Sequence, residues 1–269
     1  MTHDHLELLP QVLLGLPFLT AAFMYITAVV SNRSSRRWPF HRTVLWLTGC
    51  ILAFVSTAGP LAQQAHSNFI FHMTGHILLG MLAPLLMVLA APMTLIFRTL
   101  PVPGAKRLTR LLRSRAAGML TDPAAATFLN IGGLWVLYTT ALYGAMHENV
   151  FLHLMVHFHV YLAGFLFTAS MIYIDPIPHR RPFLYRSVVL VLALAGHGIL
   201  SKHLYANPPA EVTAAQAKAG SMIMYYGGDA IDLIIIFLLC LHWYKNTRPK
   251  PMQKKQTRFK PMHAGNTPR

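Results

Sequence analysis

Long apolar runs alternate with short polar breaks along the whole chain. They extend from about Leu8 to Val30, Thr43 to Gln63, Phe69 to Phe97, Pro123 to Met146, Phe151 to Ile174, Ser187 to Leu204 and Ala219 to Trp243. A helix of about 20 residues crosses a hydrocarbon core of about 30 Å. The seven runs therefore predict an all-α fold, a polytopic transmembrane helical bundle of about seven spans. Pro84 and Pro92 predict kinks within the third span, and Gly59-Pro60 lies near the outer end of the second. The expected organisation is a single transmembrane helical domain over residues 1–245, followed by a disordered basic cytoplasmic tail over 246–269.

The polar breaks differ in sign. Of the 23 Lys and Arg residues, 21 fall in three short loops and the tail, all on one side of the predicted membrane. The exceptions are Lys202 and Lys218. Basic residues accumulate in short cytoplasmic loops, so the N terminus is expected outside and the C terminus in the cytoplasm. A mean hydropathy of +0.45 with 12% charged residues excludes an ordinary soluble domain and a disordered chain. The net charge of +15 is met by the membrane rule, so no nucleic-acid partner is expected. In the most basic loop, Lys106, Arg107, Arg110 and Arg115 are spaced for an amphipathic helix against anionic membrane lipid. The opening Met1-Thr2-His3-Asp4-His5-Leu6-Glu7 is acidic where a cleavable signal would be basic. Cys50 and Cys240 both map to cytoplasmic halves of helices, and no disulfide is expected.

Histidine follows the opposite asymmetry. Eleven of the 15 histidines lie in the N-terminal stub, the outer loops or the outer half of a span. His72 and His76 in the third span, and His153 and His157 in the fifth, are each four residues apart and so share a helical face. At 1.5 Å per residue, His76 and His157 lie roughly 10 Å below the outer surface. His197 of the sixth span reaches a similar depth, while Asp229 and Asp232 of the seventh lie somewhat deeper and three residues apart. Each central carboxylate costs on the order of 3 kcal/mol to insert, so it calls for a partner. Converging imidazoles and carboxylates can hold a metal, and they can equally serve as interhelical hydrogen-bonding groups. His66, His147 and His203 read as interfacial polar residues. His159, about 200° around the helix from His157, reads as bonding a neighbouring helix or facing headgroups. Met73, Met222 and Met224 are possible additional ligands, and thioether with imidazole favours copper over zinc. Met24, Met81, Met87 and Met93 read as packing.

The motifs resemble those of the CtaG family of membrane proteins. The matching stretches are His72-Met73-Thr74-Gly75-His76 with Ala83-Pro84-Leu85-Leu86 and Ala91-Pro92; His153-Leu154-Met155-Val156-His157 with Leu162-Ala163-Gly164-Phe165-Leu166-Phe167; Asp175-Pro176; and Gln216 to Met224. Tyr225 stands where the family typically has Trp, and Gln216 alone remains of an Asp-Gln pair. The resemblance implies a chaperone-like assembly factor for haem–copper cytochrome c oxidase in the plasma membrane of a bacterium. It implies copper as cargo, His72, His76, His153, His157 and His197 as its ligands, and oxidase subunits and a copper donor protein as partners. No catalytic triad, phosphate loop or nucleotide motif accompanies these residues, so a non-enzymatic role is expected. Two other readings stay open at this stage. A haem-b electron-transfer protein would use His76 with His157 or His197. A zinc-dependent intramembrane hydrolase would use His153, His157 and Asp229, with Asp232 as acid–base.

Overall fold

The computed structural model describes residues 2–32 and 37–248, with backbone only for residues 2–9. In chain order the helices are α1 (Thr2–Val30), α2 (Phe40–Thr57), α3 (Pro60–Ser67), α4 (Phe69–Ile77), a π-turn (Leu78–Leu82), α5 (Ala83–Leu89), α6 (Pro92–Thr99), α7 (Val102–Leu112), α8 (Arg115–Leu120) and α9 (Pro123–Thr127). They continue with a second π-turn (Phe128–Gly132), α10 (Gly133–Thr139), α11 (Leu142–Glu148), α12 (Val150–Met171), α13 (Phe183–Ala206) and α14 (Ala214–Thr247). Six helical segments are long and apolar enough to cross a membrane, and a seventh is made of Pro123–Thr139 with Leu142–Glu148, bent by 79°. The protein is an all-α, multi-pass membrane bundle. The part of the expected tail from residue 249 on lies outside the described residues.

The third span is the axis of the bundle. In its most apolar window 61% of Phe69–Leu89 is buried, against 22–33% for the other spans. α1 pairs with α2 and α13 with α14, and α2, α12 and α14 all pack on the third span. Pro84 has no N–H for the Gly80 carbonyl, and the helix passes that point through the π-turn. α12 closes on the freed carbonyl at Gly164, where any Cβ would overlap the Gly80 oxygen. This close approach fixes the depth of the histidines on α12 relative to those on α4.

Three of the expected spans are broken, each with a local cause. The second span stops at Thr57 because Gly59 takes φ +91° and Pro60 opens α3, so the link carrying His66 is itself helical. The third stops at Leu89 because Ala91 adopts a left-handed conformation (φ 54°) before Pro92, a break rather than a kink. The fourth bends after Thr139: the Thr140 hydroxyl accepts the Leu142 N–H and starts α11 in a new direction. At the basic end, α7 and α8 contain no buried residues, as a surface-lying amphipathic segment requires. Cys50 is buried, Cys240 is exposed, and both are free thiols.

Candidate functional site

The breaks in the second and fourth spans decide which side chains meet at the outer end. α4 begins at Asn68, whose Oδ1 accepts the Ile70 N–H, and α12 begins at Asn149, whose Oδ1 accepts the N–H groups of Phe151 and Leu152. Both caps start a helix just ahead of a histidine pair. α3 and α11 then fold over the same region and bring in His66 and His147. Five imidazoles, His66, His72, His147, His153 and His157, line one cavity with Gln11, Ser56 and Met146. His153 lies against His157 with ring centroids 4.1 Å apart and stacks on His66 at 5.1 Å. His147 sits 5.8 Å from His66 and 6.3 Å from His72.

Hydrogen bonds decide which ring nitrogens are available. His157 Nδ1 lies 2.9 Å from the His153 carbonyl, and His147 Nδ1 lies 2.8 Å from the Tyr143 carbonyl. A carbonyl only accepts, so Nδ1 carries the hydrogen in both rings and Nε2 keeps its lone pair. A backbone carbonyl on one nitrogen is the usual way of orienting an imidazole whose other nitrogen binds a metal. His153 Nδ1 is buried without a hydrogen-bond partner. His72 Nε2 is 3.0 Å from the Tyr138 hydroxyl, so its role is shared with that phenol. Among the described residues, no three His, Cys, Asp or Glu side chains are gathered closely enough to hold an ion as they stand. The ready donors come as pairs and singles facing a common space.

That space continues inward. A second cavity is lined by His72, His157 and Ser56 from the first, by Tyr138, and by His76 on its inner side. A third is lined by His76, His197, Asp232, Asn130 and Thr168. The volumes are about 20, 30 and 20 Å³ in order, each enough for one water-sized occupant. Exposure falls along the file. His66 is exposed and His147, His153 and His157 half-buried, whereas His72, His76 and His197 are 9%, 7% and 3% exposed. The Nε2 atoms of both His76 and His197 are buried without a hydrogen-bond partner.

The five histidines named from sequence thus fall along a file instead of around one point. Asp232 faces the inner cavity and is 4% exposed, whereas Asp229 is exposed and lines none of the three cavities. Three residues apart on a helix still leaves about 60° between side chains, and here the bundle edge falls in that gap. Met73 and Met224 are fully buried in an apolar cluster with Phe69, Leu134 and Leu200, and Met222 is 49% exposed. The thioether at the outer cavity belongs to Met146. His66, His147, Met146 and the phenols of Tyr138 and Tyr143 were missed by sequence reasoning. The available signal was the Tyr143-x-x-Met146-His147 spacing, which aligns one face of a short helix. His159 Nε2 donates to the Leu129 carbonyl in the π-turn of the fourth span, as a helix-bonding role requires.

A family model described as "Cytochrome c oxidase caa3 assembly factor (Caa3_CtaG)" matches residues 22–246, which include every histidine of the three cavities. The chain belongs to this family. Three curated relatives are uncharacterised proteins of mycobacteria. The one from Mycobacterium leprae is 32% identical over 194 residues, 69% of this chain and 29% of the relative. Those from Mycobacterium bovis and Mycobacterium tuberculosis are each 36% identical over 174 residues, 62% of this chain and 26% of the relative. The chain therefore spans less than a third of the length of these relatives. No solved structure matches it.

Proposed function

We propose that this assembly factor takes up copper from the extracytoplasmic side of a bacterial plasma membrane and delivers it to a haem–copper oxidase. The observation that carries the reading is the pair of backbone-anchored imidazoles, His157 and His147, at a cavity that His153 and Met146 also line. Their anchored Nδ1–H groups leave Nε2 lone pairs for a ligand, and His153 adds an unpartnered nitrogen. Neutral imidazoles with one thioether suit copper, and Cu(I) in particular accepts as few as two or three donors. Half-buried ligands that are not all committed to one ion favour exchange over permanent retention. His72, held by Tyr138, stands at the inner wall. The oxidase is the recipient on this reading, and a soluble or membrane-bound copper donor protein supplies the outer cavity.

The size of the cavities weighs against haem. A cofactor pocket occupies roughly 300 Å³ or more, whereas His76 and His197 border a space of about 20 Å³. The exposure of Asp229 likewise leaves the hydrolase reading without its carboxylate ligand beside His153 and His157. The deciding experiment compares oxidase purified from cells with and without this protein, assayed for copper and haem per enzyme. Loss of copper with haem retained is expected. Normal copper with missing haem would transfer the assignment to haem handling, and an unaltered oxidase would refute the assembly role.

A further inference from the structure

We infer that the inner cavity is a second cargo position, in which one Cu(I) is held between His76 Nε2 and His197 Nε2 with Asp232 as its counter-charge. This rests on the copper reading of the outer cavity and adds a separate site to it. The two nitrogens come from different spans, border the same cavity, and are both buried without a hydrogen-bond partner. Neither nitrogen has a protein group to bond, and buried polar atoms left in this way recur at sites built for a ligand. The volume of about 20 Å³ admits a bare ion or a single water and excludes a hydrated cation. Both rings are seated against glycines: His76 Cε1 is 3.5 Å from the position of a Cβ on Gly80, and a Cβ on Gly228 would overlap the His197 ring. The backbone is thus relieved of side chains where the two imidazoles lie.

Ligand number selects the class of ion. Two imidazole nitrogens bordering one small cavity suit Cu(I), which accepts two donors, whereas Zn(II) takes four. The route is also built from ligands. His72 and His157 line both the outer and the middle cavity, and His76 lines both the middle and the inner one. A copper ion passing inward meets an imidazole at each wall, exchanging one nitrogen for the next with no change in oxidation state and no other reactant.

The test is the copper stoichiometry of the purified full chain in detergent, loaded anaerobically with Cu(I) against a competing Cu(I) chelator. Two coppers per chain are expected for the unaltered protein, one for His197→Ala and one for His153→Ala. X-ray absorption should show imidazole nitrogen neighbours at the copper retained by each variant, and their absence at the copper retained by His153→Ala would overturn the inner position. His197→Gln preserves a polar side chain and replaces the alanine variant if that one fails to reach the membrane. Asp232→Asn should weaken the second copper at least tenfold while leaving the first unchanged. One copper per chain, unaffected by His197 substitution, would overturn the inner position and leave the outer site standing. Two coppers retained in both His197 variants would overturn it as well. No copper at all would remove the copper reading of the outer cavity and this proposal with it.

Discussion

Replacing Asp175 tests how the third and fifth spans are tied together at the basic end. Pro92, Met93 and Thr94 form the first turn of α6, which starts from the left-handed Ala91 with no side-chain cap of its own. Pro92 has no N–H to satisfy. The other two N–H groups both donate to the Asp175 carboxylate, Met93 N to Oδ2 at 3.0 Å and Thr94 N to Oδ1 at 2.7 Å, and the Thr94 hydroxyl donates to Oδ1 at 2.6 Å. A residue 81 positions along the chain therefore caps this helix. Removing a cap costs about 0.5–2 kcal/mol, and hydrogen bonds to a charged group contribute about 1.5–3 kcal/mol each without being additive. Asp175→Ala should therefore destabilise the protein by about 2–3 kcal/mol, roughly a 30- to 150-fold shift in the unfolding equilibrium. Asp175→Asn retains one oxygen for the two Thr94 donors but turns an NH₂ toward the Met93 N–H, so it should lose about half as much. Unfolding in mixed detergent, titrated with SDS and followed by tryptophan fluorescence, gives the ordering directly. If Asp175→Ala unfolded with the unaltered protein, or Asp175→Asn fell as far as Asp175→Ala, the carboxylate would not be acting as a bridging cap.

Four further outcomes follow from the site and the loops. His157→Ala should lower bound copper at least tenfold while His159→Ala leaves it unchanged, because only the first ring lines the cavities; equal losses would refute that division. Copper occupancy should fall on acidification, since protonated imidazole cannot ligate, and an occupancy unchanged down to about pH 2 would point to non-imidazole ligands. Asp122 caps α9 and is paired with Arg181 at 2.7 Å. Burial raises its carboxyl, but the hydrogen bonds from Tyr185, the Ala124 N–H and Arg181, with the Arg181 charge, outweigh that and hold it below its ordinary value of 3.8. A depressed carboxyl stabilises the fold fully above its ordinary value and loses that contribution as pH falls through the folded value, so Asp122→Asn should flatten the acid limb of a stability–pH profile. For orientation, reporters fused after Gly104 and Lys250 should remain cytoplasmic and one inserted near Ala210 should be exported; cytoplasmic labelling at Ala210 would reverse the membrane orientation assumed for the site.

What was legible in the sequence follows from the range of each interaction. Seven apolar runs could be counted because burial in lipid acts on each run separately. The helical faces of His72 with His76 and His153 with His157 were equally local, set by a four-residue spacing. The bends were only half visible. Gly59-Pro60 and Ala91-Pro92 announce a break, but whether it becomes a kink or a reversal depends on a left-handed Ala91 and on a carboxylate arriving from Asp175. Nothing in the apolar pattern distinguishes α10 and α11 as separate helices. The turn between them is set by the Thr140 hydroxyl accepting the Leu142 N–H, a contact whose alternative in a straight helix would look the same in sequence.

The same limit explains why the site was only partly foreseen, and what the missed residues contribute. His66 and His147 lie in connections that looked like interfacial polar links, and they meet the paired histidines only because α3 and α11 fold back over the outer end. The paired histidines alone would give a cavity wall made of two long helices, rigid and deep. The short helices add donors from segments with fewer neighbours in the bundle, one of them anchored through the Tyr143 carbonyl and accompanied by Met146. On the proposed reading, donors of graded exposure from His66 through His157 to His197 would let a metal be met at the exposed end and passed inward. A storage site would need its full ligand set converged on one point. Among the described residues the single and paired imidazoles lie along a file, which is the arrangement the proposed copper transfer calls for.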